Sequence, residues 1–560
     1  MKISLAQQNY HIGNFESNTV KIINAIEQAK KENADLILFS ELCVCGYPPR
    51  DFVEFNDFIN KCYKAIDAIR QHADTIAVLI GSPARNPNIE GKELFNAAFF
   101  LFEKKIKAEL HKTLLPTYDV FDEYRYFEPA FDWKIVEFKG KKLAITICED
   151  IWNLGNNPLY RICPMDILMQ QHPDVMLNLS ASPFDYTHHE DRKATIKLNV
   201  LKYKLPMFYC NTVGSQTEIV FDGSSLVFDK DGNICKMLPM FKEAFETVVL
   251  HDDGTIDAPV IEHAAHLPNA ELDIRDFNPE LNLHMIHEAL LLGIRDYFKK
   301  MGFTKAILGS SGGIDSALVL ALACEALGSD NVRAILMPSP YSSEHSIKDA
   351  VQLSNNLNNP YDIIRIDSIY EDFLKTLKPV FNDLPFSIAE ENIQSRTRGN
   401  LLMAIANKFG YILLNTSNKS ELATGYGTLY GDMAGGLSVL GDCYKTQIFA
   451  LAKFINRDKE IIPTNILTKA PSAELRPGQK DTDSLPDYPI LDAILYQYIE
   501  RRLGPGDIKA LGFEAALVDR VLKLVNTNEY KRNQFCPIIR ISEKAFGVGR
   551  RVPIVGKYLS

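Results

Sequence analysis

Residues 304–327 read TKAILGSSGGIDSALVLALACEAL. A short apolar run, a turn with two adjacent glycines and a long apolar helix from about Asp315 to Leu327 follow one another. This order aims several backbone N–H groups, and the positive end of a helix dipole, at one point suited to phosphate. A Walker A loop would place a lysine near the helix start, but Ile314 and Asp315 stand there, so no lysine reaches a γ-phosphate. An aspartate facing phosphates repels them unless a divalent cation lies between, so Asp315 itself predicts Mg2+. A glycine-rich turn merely capped by Asp315 or Ser316 is the plainer reading of an isolated Gly-Gly pair. The whole string SGGIDS directly after a strand weighs against it.

Upstream, Ile286, Leu290, Ile294, Tyr297 and Met301 form a stripe at helical spacing. Downstream, VRAILMP, YDIIRID and YILLNTS read as strands separated by helical segments, which predicts a doubly wound parallel sheet. The first half alternates runs such as KISLAQQ, DLILFSE, TIAVLIGS, NAAFFLFE, KLAITICED and DVMLNLSAS with helical patterns, among them Phe15, Thr19, Ile22, Ile26 and Ala29. That alternation predicts a layered α/β domain with strands covered on both faces. The polar, poorly periodic stretch between them reads as a linker. The expected division is therefore 1–250, a linker at 251–282, and 283–560.

The chain has 560 residues, 46% hydrophobic and 24% charged, with a formal charge of -10. Such a length calls for at least two domains. The acidic balance argues against a general nucleic-acid or anionic-membrane binder and for small-molecule substrates. No run approaches the roughly 20 apolar residues of a membrane span, and no signal-peptide core is visible, so a cytoplasmic location is expected. The 10 cysteines are scattered without a zinc-type CxxC pair and are expected to be mostly buried thiols.

Three of the residues that end strand-like runs carry chemistry: Glu41 in DLILFSELC, Lys112 in AELHKTLLP and Cys148 in LAITICED. If the runs share one parallel-type sheet, these side chains gather at one edge. A nearby ammonium favours a thiolate, and a carboxylate can take the thiol proton and later activate water, a set suited to attack on a carbonyl or amide. Taken singly, each has the plainer reading of a surface charge or a core thiol. The polar run NTSNKSELATGYGTLYGDMAGGLSVLGDCYKTQ, residues 415–447, is either a long surface loop or a ligand-facing loop at the carboxyl end of a sheet.

Two resemblances join these motifs. The string SGGIDS resembles the ATP-pyrophosphatase (PP-loop) ligases, which release pyrophosphate and form AMP through an adenylated acid. With ENIQSRTRGNLL (391–402), NTSNKSE and PSAELRPGQKDTDSLPDY (471–488), the second half is similar to the NAD synthetase branch of that family. The resemblance implies that Gly309, Ser310, Ser311, Gly312, Gly313, Ile314, Asp315, Ser316 and Thr416 bind ATP. It implies that Asp315 and Glu421 hold Mg2+, and that Asn392, Glu421 and Lys531 contact deamido-NAD.

In the first half, SELCVCGYPPRD, HKTLLPTYDVFDEYRYF, ICEDIW and LNLSASPF resemble the nitrilase-type amidases of the subgroup fused to NAD synthetase. The resemblance implies a Glu41–Lys112–Cys148 triad acting on L-glutamine, with Tyr118 and Ser182 binding it and Glu123 orienting the site. Where many such proteins carry Lys or Arg six residues after the serine, this chain has His188. The expected architecture is thus an N-terminal nitrilase-like α/β sandwich and a C-terminal doubly wound, Rossmann-like PP-loop domain. The implied partners are glutamine, ATP and deamido-NAD, in a homo-oligomer that passes ammonia internally. Another PP-loop amidotransferase with a different acid acceptor, a nitrilase with a regulatory second domain, and a non-catalytic nucleotide sensor are the alternatives.

Overall fold

In the first strand, β1 (Lys2–Gln7), Ile3 and Leu5 point into one core and Ala6 into another, as the period of two requires where both faces are covered. The split recurs in β2 (Leu36–Leu38), where Leu36 and Leu38 join Ile3 and Ile37 joins Ala6. The sheet continues through β3 (Ala77–Arg85), β4 (Leu94–Phe102) and β5 (Lys105–His111). A second sheet holds β6 (Val136–Phe138), β7 (Lys141–Ile147), β8 (Val175–Ser180) and β9 (Met207–Asn211). The hairpin β10 (Val213–Gln216) and β11 (Ile219–Asp222) follows. Then come β12 (Leu226–Phe228), β13 (Ile234–Met237), β14 (Ala244–Leu250) and β15 (Ile256–Asp257).

The sheets run β15-β14-β1-β2-β3-β4-β5 and β13-β12-β9-β8-β7-β6. Parallel pairs occupy the middle of each and antiparallel pairs the edges. Leu143, Ile145, Ile147, Leu177 and Leu179 of one sheet share a core with Ile3, Leu5, Leu36, Leu79 and Phe100 of the other, so the two stack face to face. Helices Phe15–Lys31 and Asn56–Arg70 cover the outer face of the first sheet through Ile22, Ile26, Ile66 and Ile69, and helix His188–Tyr203 covers the second through Ile196 and Val200. The expected sandwich is therefore built as four layers.

This computed structural model describes residues 1–154, 158–261 and 280–558. The chain divides into two units, Met1–Asn269 and Ala270–Ser560. Most of the expected linker, residues 262–279, lies outside the described residues. Among the described residues no helix is long and apolar enough to cross a membrane.

The second unit holds a sheet of β16 (Ala306–Gly309), β17 (Val332–Leu336), β18 (Tyr361–Ile363), β19 (Ile412–Asn415) and β20 (Leu437–Ser438) in the order β18-β17-β16-β19-β20. Every neighbouring pair is parallel, so the sheet is doubly wound with its switch point beside β16. Helix Ile314–Leu327 is buried along Ile314 and 316–324, which is why its sequence is apolar all round. The stripe expected before it lies in helix Glu280–Met301, except that Met301 is 59% exposed and the core is made instead by Ile286, Leu290, Ile294 and Phe298. The run 415–447 is not a surface loop: it contributes helix Lys419–Thr424 and β20 to the fold.

Candidate active sites

In the first unit, Glu41, Lys112 and Cys148 lie just beyond β2, β5 and β7. The expectation of one sheet needs correction here. Glu41 and Lys112 leave one sheet and Cys148 leaves the other, so the group is assembled across the mouth of the sandwich. Lys112 Nζ donates to Glu41 Oε1 at 2.7 Å and to both oxygens of Glu123 at 2.8 Å. Asn96 on β4 donates to Glu41 Oε1 at 2.7 Å and to Glu123 Oε2 at 3.3 Å, Tyr47 OH donates to Glu123 Oε1 at 2.8 Å, and the Ala181 N–H donates to Glu41 Oε2 at 3.1 Å. One ammonium thus faces two carboxylates in a dry site, with exposures of 0% for Lys112, 1% for Glu41 and 5% for Glu123. Burial disfavours the Lys112 ammonium, but Glu123 and then Glu41 outweigh it and hold its pKa above the ordinary lysine range.

Cys148 sits at φ +43, in the left-handed region, at the start of the tight turn Cys148–Ile151. A non-glycine residue held there is strained by about 1–3 kcal/mol and marks a backbone fixed by its surroundings. Lys112 favours the thiolate, as expected of a nearby ammonium, but it is outweighed. Burial first, and Glu41 next, push the Cys148 pKa above the ordinary thiol range against the pull of Lys112. The Cys148 thiol thus belongs to a buried site in which one ammonium is shared by the acids Glu41 and Glu123.

Around it, Tyr118 OH donates to Glu149 at 3.0 Å, and Tyr160 OH to the same carboxylate at 3.1 Å. Burial raises the Glu149 carboxyl to about 7, with Lys112 and the two tyrosines opposing. Ser182 and His188 are joined, Oγ to Nε2 at 3.0 Å, and the His188 ring stacks on Trp152 with centroids 4.8 Å apart. Tyr118, Ser182 and His188 thus stand with the turn that carries Cys148 through Glu149 and Trp152. Asn96 and Glu149 are not among the residues to which the sequence points. Glu149 adjoins the cysteine and was open to notice, whereas Asn96 lies in an apolar strand that gives no sign of a site.

In the second unit, the glycine loop connects β16 to helix Ile314–Leu327. Gly312 has φ +78, and a Cβ there would lie 2.3 Å from the Ser346 carbonyl oxygen, so only glycine fits. Ser311 Oγ accepts from the Gly313 N–H at 3.1 Å and meets Ser316 Oγ at 3.1 Å. Ser310 Oγ is buried without a hydrogen-bond partner. Gly309, Ser310, Ser311, Gly313, Ile314, Asp315, Ser316, Thr416 and Glu421 line a cavity of about 620 Å³.

Asp315 and Glu421 face each other across a cation. Lys445 Nζ lies 2.6 Å from Asp315 Oδ2 and 3.5 Å from Glu421 Oε1. Asn418 closes the other side: its amide donates to Asp315 Oδ1 at 2.9 Å, its N–H to Glu421 Oε2 at 3.2 Å, and its Oδ1 accepts from the Glu421 N–H at 2.9 Å. Burial, then Asp315, raise the Glu421 carboxyl to about 8 although Lys445 opposes. Among the described residues no group of three or more His, Cys, Asp and Glu is arranged to hold a metal. Two acids lining one cavity with the buried Ser310 hydroxyl instead fit Mg2+ held by few protein ligands, the remainder being phosphate oxygens and water. Lys445 and Asn418 escaped the sequence reading because they are distant from Asp315 in the chain and follow no periodic pattern.

Asn392 and Lys531 are not among the residues lining the cavity. Asn392 Oδ1 accepts from Thr428 Oγ1 at 2.7 Å, and Lys531 Nζ donates to the Gly425 and Gly427 carbonyls at 2.7 and 2.9 Å. They brace the loop that follows Glu421.

Residues 2–252 match the family described as carbon-nitrogen hydrolase, and residues 286–535 match NAD synthase. The chain is 44% identical to the glutamine-dependent NAD(+) synthetase of Synechocystis sp., covering 99% of this chain and 98% of that protein. It is 39% identical to the one from Thermotoga maritima, over 100% and 99% of the two. The solved glutamine-dependent NAD+ synthetase from Acinetobacter baumannii, in complex with ADP, is similar with a TM-score of 0.76 and 39% identity, covering 99% of this chain and 98% of that one. A chain whose two units match both families, and whose whole length follows these enzymes, belongs to the glutamine-dependent NAD(+) synthetases.

Proposed function

We propose that the two units divide one synthesis: residues 1–250 release nitrogen from glutamine, and residues 283–560 activate deamido-NAD with ATP and amidate it, yielding NAD, AMP, pyrophosphate and glutamate. The observation that carries the reading is the pairing of a buried Glu41–Lys112–Glu123 group beside Cys148 with a lysine-free phosphate loop carrying Asp315.

In the first unit, Cys148 Sγ attacks the side-chain amide carbon of glutamine as Glu41 takes the thiol proton. General-base transfer suits a thiol whose pKa lies above its ordinary range. Lys112 supports the negative charge that develops on the amide oxygen. Glu41 then returns the proton to the departing nitrogen, so ammonia leaves and a thioester remains. Glu41 next deprotonates water, which cleaves the thioester to glutamate and restores the thiol. Tyr118, Ser182 and His188 bind the amino-acid end, and Glu123 keeps Lys112 in place.

In the second unit, the N–H groups of the 309–316 loop receive the outer phosphates of ATP, and Thr416 contacts the nucleotide. The carboxylate of deamido-NAD attacks the α-phosphorus, and pyrophosphate departs. Ammonia then attacks the adenylated carbonyl, and AMP leaves. Asp315 and Glu421 would hold Mg2+, which when bound offsets the charge of the leaving pyrophosphate. Lys445 stands ready to face the same phosphates. Asn392, Glu421 and Lys531 serve the dinucleotide.

The proposal includes a homo-oligomer without nucleic-acid or membrane partners. It also places the protein in the cytoplasm, in keeping with 10 unpaired cysteines in a reducing setting. The test is product analysis with all three substrates. Formation of NAD with one AMP and one pyrophosphate each supports the reading, and ADP with orthophosphate sinks it.

A further inference from the structure

Asp150 stands two residues after Cys148 and takes no part in the chemistry above. It is buried, and its carboxylate accepts three backbone N–H bonds. Oδ1 receives Thr113 at 3.0 Å and Leu114 at 2.9 Å, and Oδ2 receives Ile147 at 3.0 Å. Thr113 and Leu114 follow Lys112 directly, and Ile147 directly precedes Cys148. One side chain therefore ties the segment leaving β5 to the turn leaving β7.

That tie crosses from one sheet to the other. β5 and β7 are not neighbours in any ladder, so strand register does not set how far Lys112 stands from Cys148. Between their strands the facing sheets are held largely by apolar packing, which is non-directional, whereas hydrogen bonds to a charged acceptor, such as those of Asp150 and that of the Ala181 N–H to Glu41, are short and directional. The cysteine is also held at φ +43, a strained value that persists only where neighbouring contacts over-determine the backbone. The bond from the Ile147 N–H to Asp150 supplies such a contact immediately before the strained residue.

We propose that Asp150 is a positioning residue that fixes the Cys148 thiol against Lys112 by clamping the exits of two sheets. The inference rests on the reading of Cys148 as the glutamine nucleophile. Only a carboxylate serves at this position, because both of its oxygens must accept. Asparagine offers one accepting oxygen and turns an NH2 group toward the other N–H donors.

The test uses the full chain with Asp150→Asn and Asp150→Ala, and Cys148→Ala alongside. Glutamine hydrolysis, the rate of thioester formation and ammonium-supported NAD synthesis are measured on each. For D150N a misplacement near 1 Å lowers kcat for glutamine by about 10²-fold. Thioester formation slows in step, the KM for glutamine stays within about threefold of the parent, and ammonium-supported synthesis is retained. Should D150A not fold, D150N, which keeps the shape and one acceptor, carries the test. The clamp is refuted if folded D150N hydrolyses glutamine at the parental rate, if only KM changes, if ammonium-supported synthesis falls in proportion, or if neither variant folds. Continued hydrolysis in C148A would instead refute the underlying assignment of the nucleophile.

Discussion

Lys445 Nζ stands 2.6 Å from Asp315 Oδ2, where it meets the one acidic residue of the phosphate loop across 130 positions of sequence. Burial opposes the ammonium, but Asp315 and then Glu421 hold its pKa above the ordinary lysine range, so it is charged throughout the neutral region. We expect Lys445→Met to lower NAD formation by about 10²–10³-fold, the usual effect of removing a preorganised charge from a reacting centre. The loss should be equal with glutamine and with ammonium, while glutamine hydrolysis continues. Parallel assays with the two nitrogen sources check this.

Asp315→Asn removes one of the two acids suited to Mg2+. The Mg2+ concentration for half-maximal ATP use should rise by tenfold or more, on the order of 1.4 kcal/mol in affinity. Thioester formation in the other unit should not change. A titration curve that coincides with the parent's contradicts the assignment of Asp315.

Cys148→Ala separates the two chemistries. Glutamine-supported synthesis should disappear, and synthesis with added ammonium salt should persist near the parental rate. Loss of both in a folded variant would show the division of labour to be wrong.

Burial, followed by Glu41, raises the Cys148 thiol. Less thiolate is therefore present at pH 7 than in an unhindered cysteine, and alkylation should be slow there and accelerate only at alkaline pH. Site-resolved iodoacetamide labelling measured against pH is the check. A labelling midpoint below the ordinary thiol value would disprove it.

Glu149 carries a penalty that pH reveals. Its carboxyl is raised from the usual 4.5 to about 7, first by burial. Below the unfolded value both states are protonated, and the group has no effect on stability. As pH rises toward 7 the unfolded chain ionises first, so stability falls, and above 7 the loss is constant. Glu149→Gln should therefore stabilise the first unit by about 2–3 kcal/mol at pH 8 and hardly at all near pH 4. Thermal unfolding at the two pH values decides it, and an equal gain at both would point to packing instead.

Local patterns carry much of this protein. The lysine-free glycine loop, the apolar helix 314–327 and the strand runs of both units are legible because periodicity and turn chemistry act between near neighbours. The residues Glu41, Lys112 and Cys148 stand out for the same reason, each closing an apolar run. Tertiary structure alone decided that Cys148 leaves a different sheet from its partners, that burial raises its thiol pKa, and that Lys445, Asn418, Asn96 and Asp150 come to touch the candidate residues or their chain neighbours. Those facts depend on desolvation and on contacts between distant segments, which arise only when the sheets pack.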